Sequence, residues 1–151
     1  MFIVKKRGLA AFLTSNKRGL VYCIVMKIYL IEDDPIYAEF IAKALQSDPA
    51  NELKVFQTGE DCLKSINNSL PDVMIIDYKL PGISGIDLYE KIKPRITKKN
   101  KVILLSSLDD GNMVLSFIQR GVRDYVIKDE NVIDSLMSIL SGSEDDYYLF
   151  N

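Results

Sequence analysis

Short apolar runs alternate with amphipathic segments along the chain from Met26 onward. Runs of four or five residues have the length of a buried strand, whereas apolar positions repeated every three or four residues indicate a helix with one buried face. The predicted strands are residues 27–31, 53–56, 73–76, 102–105 and 124–127. This alternation predicts an α/β fold in which helices cover a parallel sheet.

Five amphipathic segments follow the strand runs and predict five helices. The first is expected to begin at Pro35, because the fixed φ and missing N–H of proline suit a first helical position. Pro94 and Gly121 are expected to end the third and fourth helices. The apolar stripes of these helices are expected to form the core: Ile36, Phe40, Ile41, Ala44 and Leu45; Cys62, Leu63 and Ile66; Ile86, Leu88, Tyr89 and Ile92; Val114, Phe117 and Ile118; Val132, Ile133, Leu136, Ile139 and Leu140.

Five β/α units predict a doubly wound, flavodoxin-like sheet of five parallel strands in the order 2-1-3-4-5. In sheets of this kind, ligands bind at the carboxyl ends of strands 1 and 3, where the direction of winding reverses. We therefore expect the functional residues to follow directly after the strands.

The composition fits one globular domain, since the chain has 151 residues and 48% of them are hydrophobic. Charge is distributed unevenly: residues 1–26 contain five basic and no acidic residues, whereas 14 basic and 21 acidic residues follow them. The folded part therefore lacks a basic field that would attract nucleic acid, and we expect no direct nucleic-acid binding.

Cysteine and histidine usage narrows the possible chemistry. Cys23 and Cys62 form neither a CxxC pair nor a metal-ligand cluster, so free thiols and a cytoplasmic location are expected. The chain contains no histidine, which excludes histidine triads, histidine zinc sites and a role as a phosphohistidine donor. No uncharged apolar run reaches the ~18 residues of a membrane-spanning helix, so no membrane insertion is expected.

The sequence predicts three parts. Residues 1–25 are expected to be a disordered or mis-assigned extension, because basic termini without packing partners seldom order and Met26 itself could be the initiator. The alternative is a basic segment that docks a partner or an anionic membrane surface. Residues 26–141 are expected to form the domain, and residues 142–151 an acidic-aromatic tail that is either exposed or a docking motif. We expect no attached output domain.

Acidic residues stand at the ends of two neighbouring strands of the predicted sheet. Glu32, Asp33 and Asp34 follow strand 1, and Asp77 follows strand 3. Two like charges about 4 Å apart repel by roughly 4 kcal/mol at an effective dielectric constant near 20, so such a cluster favours a bound cation. Mg²⁺ is a hard ion that prefers oxygen ligands, and the sequence therefore predicts a Mg²⁺ site.

Asp77 is the best candidate for a nucleophile, because a carboxylate can attack phosphorus and form an acyl phosphate. Phosphoryl transfer needs positive groups and hydrogen-bond donors around the phosphoryl oxygens more than it needs acid-base chemistry. Lys128 at the end of strand 5 and Ser106 at the end of strand 4 supply these. Each residue alone is weak evidence, but their joint placement on successive strand ends favours phosphoryl chemistry.

Residues 26–141 resemble the receiver domain of two-component response regulators. The segment from Glu32 to Pro35 is similar to the acidic motif of that family, and residues 77–85 (DYKLPGISG) match its D-x-x-L/M-P-G-x-x-G loop. Tyr125 and Lys128 stand at the three-residue separation of the family's switch aromatic and lysine. Asp129 departs from the family pattern, in which a proline usually follows the lysine.

The resemblance implies a phosphorylation-dependent signalling switch in a two-component system or phosphorelay, with a histidine kinase or histidine phosphotransfer protein as phosphoryl donor. Such a domain is not an ordinary enzyme, although it assists its own phosphorylation and dephosphorylation. An unidentified downstream protein would read the face made by helix 4, strand 5 and helix 5. The implied roles are phosphoacceptor and catalytic residues Asp77, Ser106 and Lys128; Mg²⁺ ligands Glu32, Asp33, Asp77 and the backbone carbonyl of Lys79; switch residues Ser106 and Tyr125; and a peripheral Asp34.

Three other interpretations compete with this one, and the residues of this chain disfavour the first two. A flavodoxin-type cofactor binder would need a loop rich in Ser, Thr or Gly after strand 1, where this chain has acidic residues. A haloacid-dehalogenase-like phosphatase would need a second Asp two residues after the nucleophile, where this chain has Lys79. A degenerate receiver could act as a protein-binding scaffold without phosphorylation.

Overall fold

A computed structural model describes residues 11–16, 19–107 and 111–142. No helix in these ranges is both long enough and apolar enough to cross a bilayer. The elements are β1 (Ala11–Asn16), β2 (Gly19–Ile24), β3 (Met26–Ile31), α1 (Pro35–Leu45), β4 (Asn51–Phe56), α2 (Gly59–Ser65), β5 (Val73–Asp77), α3 (Gly85–Ile92), a 3₁₀ turn (Lys93–Arg95), β6 (Lys101–Ser106), α4 (Gly111–Gln119), β7 (Asp124–Ile127) and α5 (Val132–Ser141).

Five strands form one parallel sheet in the order β4-β3-β5-β6-β7. This is the predicted order 2-1-3-4-5, so the fold class is confirmed. Some strands are longer than the apolar runs that predicted them. Polar Asn51 and Glu52 pair with Met26 and Lys27 through the backbone, and such pairing leaves no hydrophobic signal in the sequence.

The helices cover both faces of the sheet, and each face has its own core. Helices α1 and α5 pack on one face, whereas α2, α3 and α4 pack on the other. All five residues of β5 are buried, as expected of a central parallel strand. Cys62 is a core residue, and burial raises the pKa of its thiol to about 12, so it is unreactive at neutral pH.

Part of the predicted core is wrong. Ile36, Phe40 and Ile118 are 80%, 50% and 57% exposed, respectively. On α1 the buried residues are Ala38, Ile41 and Leu45, which follow one line along the helix. Ile36 and Phe40 are one turn apart on a different line, so the apolar stripe in the sequence is wider than the arc that the sheet covers.

The N-terminal region contains two further strands. β1 and β2 pair as antiparallel strands from Ala11↔Ile24 to Asn16↔Gly19. Leu13, Val21 and Tyr22 have high strand propensity, which agrees with this pairing. The division into a disordered or mis-assigned extension over residues 1–25, a domain over residues 26–141 and a tail over residues 142–151 stays a prediction. Residues 1–10 and the tail from residue 143 lie outside the described residues.

Candidate functional site

Four strand ends meet at the carboxyl edge of the sheet. In the strand register Ile31 pairs with Ile76, Asp77 with Leu105, and Ser106 with Ile127. The residues that follow these pairs therefore stand side by side. This register brings Glu32, Asp77, Ser106 and Lys128 together although they are far apart in the sequence. Three of these side chains are buried, since Glu32 is 1% exposed, Asp77 6% and Ser106 2%.

Lys128 bridges the two buried carboxylates. Its Nζ lies 2.6 Å from Oε2 of Glu32 and 3.2 Å from Oδ2 of Asp77. Its backbone N–H donates to the carbonyl oxygen of Ser106 at 2.8 Å, which ties the residue after β7 to the end of β6. Buried carboxylates are costly without a partner, so the ammonium compensates much of their charge.

The acidic cluster offers ligands for a divalent cation. One carboxylate oxygen from each of Glu32, Asp33 and Asp77 lies within 4.8 Å of the other two. Asp33 is exposed, so the cluster opens to solvent on one side. The N–H of Lys79 donates to Oδ1 of Asp77 at 3.3 Å and orients that carboxylate. Three convergent carboxylates, two of them buried, fit the preference of Mg²⁺ for oxygen ligands.

The protonation equilibria show how strongly the site disfavours uncompensated negative charge. Burial raises the pKa of Glu32 above its ordinary value, although the hydrogen bond from Lys128 acts in the opposite direction. Burial likewise raises the pKa of Asp77, against the charge and hydrogen bond of Lys128. Burial alone would lower the pKa of Lys128, but its hydrogen bond to Glu32 and the charge of Asp77 raise it above the ordinary value. A cation bound at this site would therefore stabilise the ionised forms of Glu32 and Asp77.

Other residues singled out in the sequence have different environments. Oδ1 of Asp34 accepts the N–H groups of Ile36 and Tyr37 at 2.9 and 3.2 Å, so Asp34 caps α1. Tyr125 lies on β7 and is 39% exposed, so its side chain is on the outside of the sheet edge. The side chain of Lys79 is exposed.

Sequence reasoning missed Tyr37, which lies in the first turn of α1. The Nζ of Lys128 is 4.5 Å from the centroid of its ring. Its hydroxyl is buried and finds no hydrogen-bond partner among the described residues. The available signal was an aromatic residue in the first turn of a helix that begins directly after the acidic residues. The apolar stripe predicted for that helix did not include it.

Sequence reasoning also missed Glu60, which lies in the first turn of α2. Its Oε1 accepts the N–H of Ile83 at 2.9 Å. Gly82 has a φ of 76°, and the Glu60 carboxylate fills the place that a Cβ at Gly82 would take. Glu60 therefore holds the loop that follows Asp77 from the side of the neighbouring helix.

We expect Glu60→Ala to lower the free energy of unfolding by about 1–2 kcal/mol, because the part-buried N–H of Ile83 loses its acceptor. Glu60→Gln keeps an acceptor oxygen at the same place and should lose less than half of that amount. Urea denaturation of the two variants measures the difference. Equal losses in both variants would assign the effect to charge and contradict the hydrogen-bond explanation.

Comparison with known proteins agrees with this geometry. The sequence profile of the response regulator receiver domain matches residues 28–140. The transcriptional regulatory protein AfsQ1 of Streptomyces coelicolor is 32% identical over 101 residues, which cover 67% of this chain and 44% of AfsQ1. The probable transcriptional regulatory protein NarL of Mycobacterium tuberculosis is 25% identical over 116 residues, or 76% of this chain and 53% of NarL. The chain thus spans about half the length of these relatives.

A solved structure gives the same result. The receiver domain of the Francisella response regulator 1452 superposes with a TM-score of 0.66 at 28% identity, covering 77% of this chain and 93% of that one. The profile match extends from β3 into α5 and includes every residue of the site described above. The protein therefore belongs to the response regulator receiver domain family, whose general function is phosphorylation signalling in two-component systems.

Proposed function

We propose that this chain accepts a phosphoryl group on Asp77 from the phosphohistidine of a histidine kinase or histidine phosphotransfer protein. The observation that carries the proposal is the contact of buried Asp77 with Lys128 beside a second buried carboxylate, Glu32. Two carboxylates and one ammonium are costly to desolvate, and such a cluster at the sheet edge where ligands bind is a candidate functional site.

The proposed reaction is an in-line displacement at phosphorus. A carboxylate oxygen of Asp77 forms the new P–O bond as the P–N bond to the donor imidazole breaks, and the imidazole leaves with the bond's electron pair. Mg²⁺ held by Glu32, Asp33, Asp77 and the carbonyl of Lys79 would supply charge neutralisation. Lys128 stabilises the phosphoryl oxygens, and the Ser106 hydroxyl donates a hydrogen bond to one of them.

Phosphorylation replaces the single negative charge of the Asp77 carboxylate by a phosphoryl group with a charge of about −1.5 to −2, which draws Lys128 and Ser106 toward the new group. Tyr125 follows into the space that Ser106 vacates. The surface of α4, β7 and α5 would report this change to a downstream protein. Its exposed apolar side chains support this assignment, because Leu115 and Ile118 on α4 are 63% and 57% exposed and Tyr125 on β7 is 39% exposed.

The finer assignments rest on the same argument. We infer that the domain works as a cytoplasmic switch, and that it signals through protein partners without binding nucleic acid directly. Its only chemistry would be its own phosphorylation and dephosphorylation.

Intact-mass analysis after exposure to acetyl phosphate tests the proposal. We expect a single phosphoryl adduct in the presence of Mg²⁺. When EDTA replaces the metal, the amount of adduct should fall near background, because the clustered carboxylates need charge compensation. Reduction of the acyl phosphate with borohydride, followed by peptide mapping, should place the adduct at Asp77. An adduct at another residue, or none with Mg²⁺ present, would overturn the proposal.

A further inference from the structure

The ammonium of Lys128 is enclosed from two sides. Glu32 and Asp77 contact it at 2.6 and 3.2 Å, and the ring of Tyr37 faces it with 4.5 Å between Nζ and the ring centroid. We propose that Tyr37 is a positioning residue for Lys128, and that its aromatic face keeps the ammonium at the site during phosphorylation of Asp77. This inference rests on the function proposed above.

The ring is held by the segment that also provides the acidic ligands. The N–H of Tyr37 donates to Oδ1 of Asp34 at 3.2 Å, and the N–H of Asp34 donates to Oε1 of Glu32 at 3.2 Å. The Tyr37 ring also packs against Phe40, with centroids 5.9 Å apart. The ring and the Glu32 carboxylate therefore have a fixed spacing, and Lys128 fits between them.

The contact uses the face of a neutral ring. Burial raises the pKa of Tyr37 to about 12, and the charges of Glu32, Asp77 and Asp129 act in the same direction. The phenol therefore stays protonated at neutral pH, and its attraction for Lys128 comes from the ring quadrupole. The buried hydroxyl has no acceptor among the described residues, so it adds no hydrogen bond to this contact.

The ring matters most when the carboxylates change partners. Glu32 and Asp77 are both partners of Lys128 and members of the acidic cluster that would hold a cation. A cation bound there weakens their attraction for the ammonium, because the same negative charges are then shared. The aromatic face is no ligand of a hard cation, so its hold on Lys128 persists. Lys128 then stays near the oxygens of the incoming phosphoryl group.

Phosphorylation kinetics with a small donor test the inference. With acetyl phosphate and Mg²⁺, we expect Tyr37→Leu to react roughly threefold to thirtyfold more slowly than the wild type, the range that a partly desolvated cation–π contact would produce. Tyr37→Phe keeps the ring and should react within about twofold of the wild type. Ile36→Ala, a change at an 80% exposed neighbour on the same turn, serves as control and should react at the wild-type rate.

A second measurement needs no phosphoryl group. Ring currents should shift the NMR signals of the Lys128 side-chain methylenes upfield in the wild type and in Tyr37→Phe, and the shift should vanish in Tyr37→Leu. If Tyr37→Leu fails to fold, Tyr37→Met, which retains a long flexible apolar side chain, takes its place in both experiments.

The outcomes separate the two proposals. A wild type that takes up no phosphoryl group refutes the proposed function, whereas the methylene shifts still report on the ring contact. A wild type that is phosphorylated, with Tyr37→Leu equally fast, overturns the positioning role alone. Equal slowing in Tyr37→Phe and Tyr37→Leu would assign the effect to the hydroxyl and likewise overturn the role of the ring.

Discussion

Asp77→Asn is expected to accept no phosphoryl group. At neutral pH in EDTA, its free energy of unfolding should nevertheless be higher than that of the wild type. The amide is no nucleophile toward phosphorus, so the adduct disappears. Burial raises the pKa of Asp77, which means that the folded protein binds this proton more tightly than the unfolded chain does. A neutral isostere therefore removes an electrostatic cost of the folded state, and the free energy of unfolding should rise.

The raised pKa of Asp77 also fixes how the free energy of unfolding depends on pH. A carboxyl group with a raised pKa in the folded state contributes stability that is present below its unfolded pKa and is lost as pH rises through the folded value. The wild type in EDTA should therefore lose stability above pH ~4, over the window set by the raised pKa values of Glu32 and Asp77. The loss should be smaller in Asp77→Asn.

Urea denaturation in EDTA across this pH range measures the free energy of unfolding and its change with pH. In a separate series with Mg²⁺ in place of EDTA, the metal should stabilise the wild type more than Asp77→Asn, which has lost a ligand. Asp61→Asn changes an exposed carboxylate on α2 and should match the wild type in every measurement within about 0.5 kcal/mol. An Asp77→Asn variant less stable than the wild type in EDTA at pH 7 would contradict the electrostatic argument.

Lys128→Met is expected to lower the free energy of unfolding at pH 7 by about 3–5 kcal/mol, because it leaves Glu32 and Asp77 buried without a counter-charge. Methionine keeps much of the length and the apolar stem of lysine, so the loss of packing is small. The same variant should be phosphorylated far more slowly, since the phosphoryl oxygens lose their cationic partner.

Chemical denaturation at two pH values tests the cause of this loss. Lowering the pH to about 5 protonates part of the carboxyl population and should restore part of the stability, as should Mg²⁺ at pH 7. Lys43→Met removes an exposed i,i+4 pair with Glu39 and should cost at most about 0.5 kcal/mol. A loss below 1 kcal/mol in Lys128→Met would show that the ion pair contributes little.

The fold and the centre of the site were predictable because two signals in the sequence are strong. Central parallel strands are apolar on both faces, so β5 and β6 stand out as uninterrupted runs. Parallel strands also end at a common edge, so Glu32, Asp77 and Lys128 could be placed together from their positions alone. The structure brings these three side chains into contact.

The rest of the site depends on geometry that the sequence does not express. Tyr37 contacts a lysine that is remote in the sequence, and helical periodicity gives a face but not the neighbour across it. The exposure of Ile36 and Phe40 has the same origin, since the sheet covers a narrower arc of α1 than its apolar positions suggest. The contact of Glu60 with the loop after Asp77 joins two elements that are not consecutive in the chain.

Asp129 had no physical explanation from the sequence, because its charge adjoins an already acidic site. Its Oδ1 accepts the N–H of Asn131 at 2.8 Å, and its carbonyl oxygen accepts the N–H of Val132 at 3.3 Å. The carboxylate therefore serves the turn that leads into α5. This turn uses the hydrogen-bonding capacity of an aspartate in a way that proline could not provide.

The close contact of Gly85 with Asp77 limits how this chain can change in evolution. A Cβ at position 85 would overlap the backbone carbonyl oxygen of Asp77, and the N–H of Gly85 already donates to the carbonyl of Tyr78 at 2.9 Å. The loop between Asp77 and α3 is therefore constrained by backbone contacts where it leaves β5 and where it enters α3. Substitutions on the exposed loop surface remain open to drift, whereas insertions, deletions or any side chain at position 85 would be removed by selection.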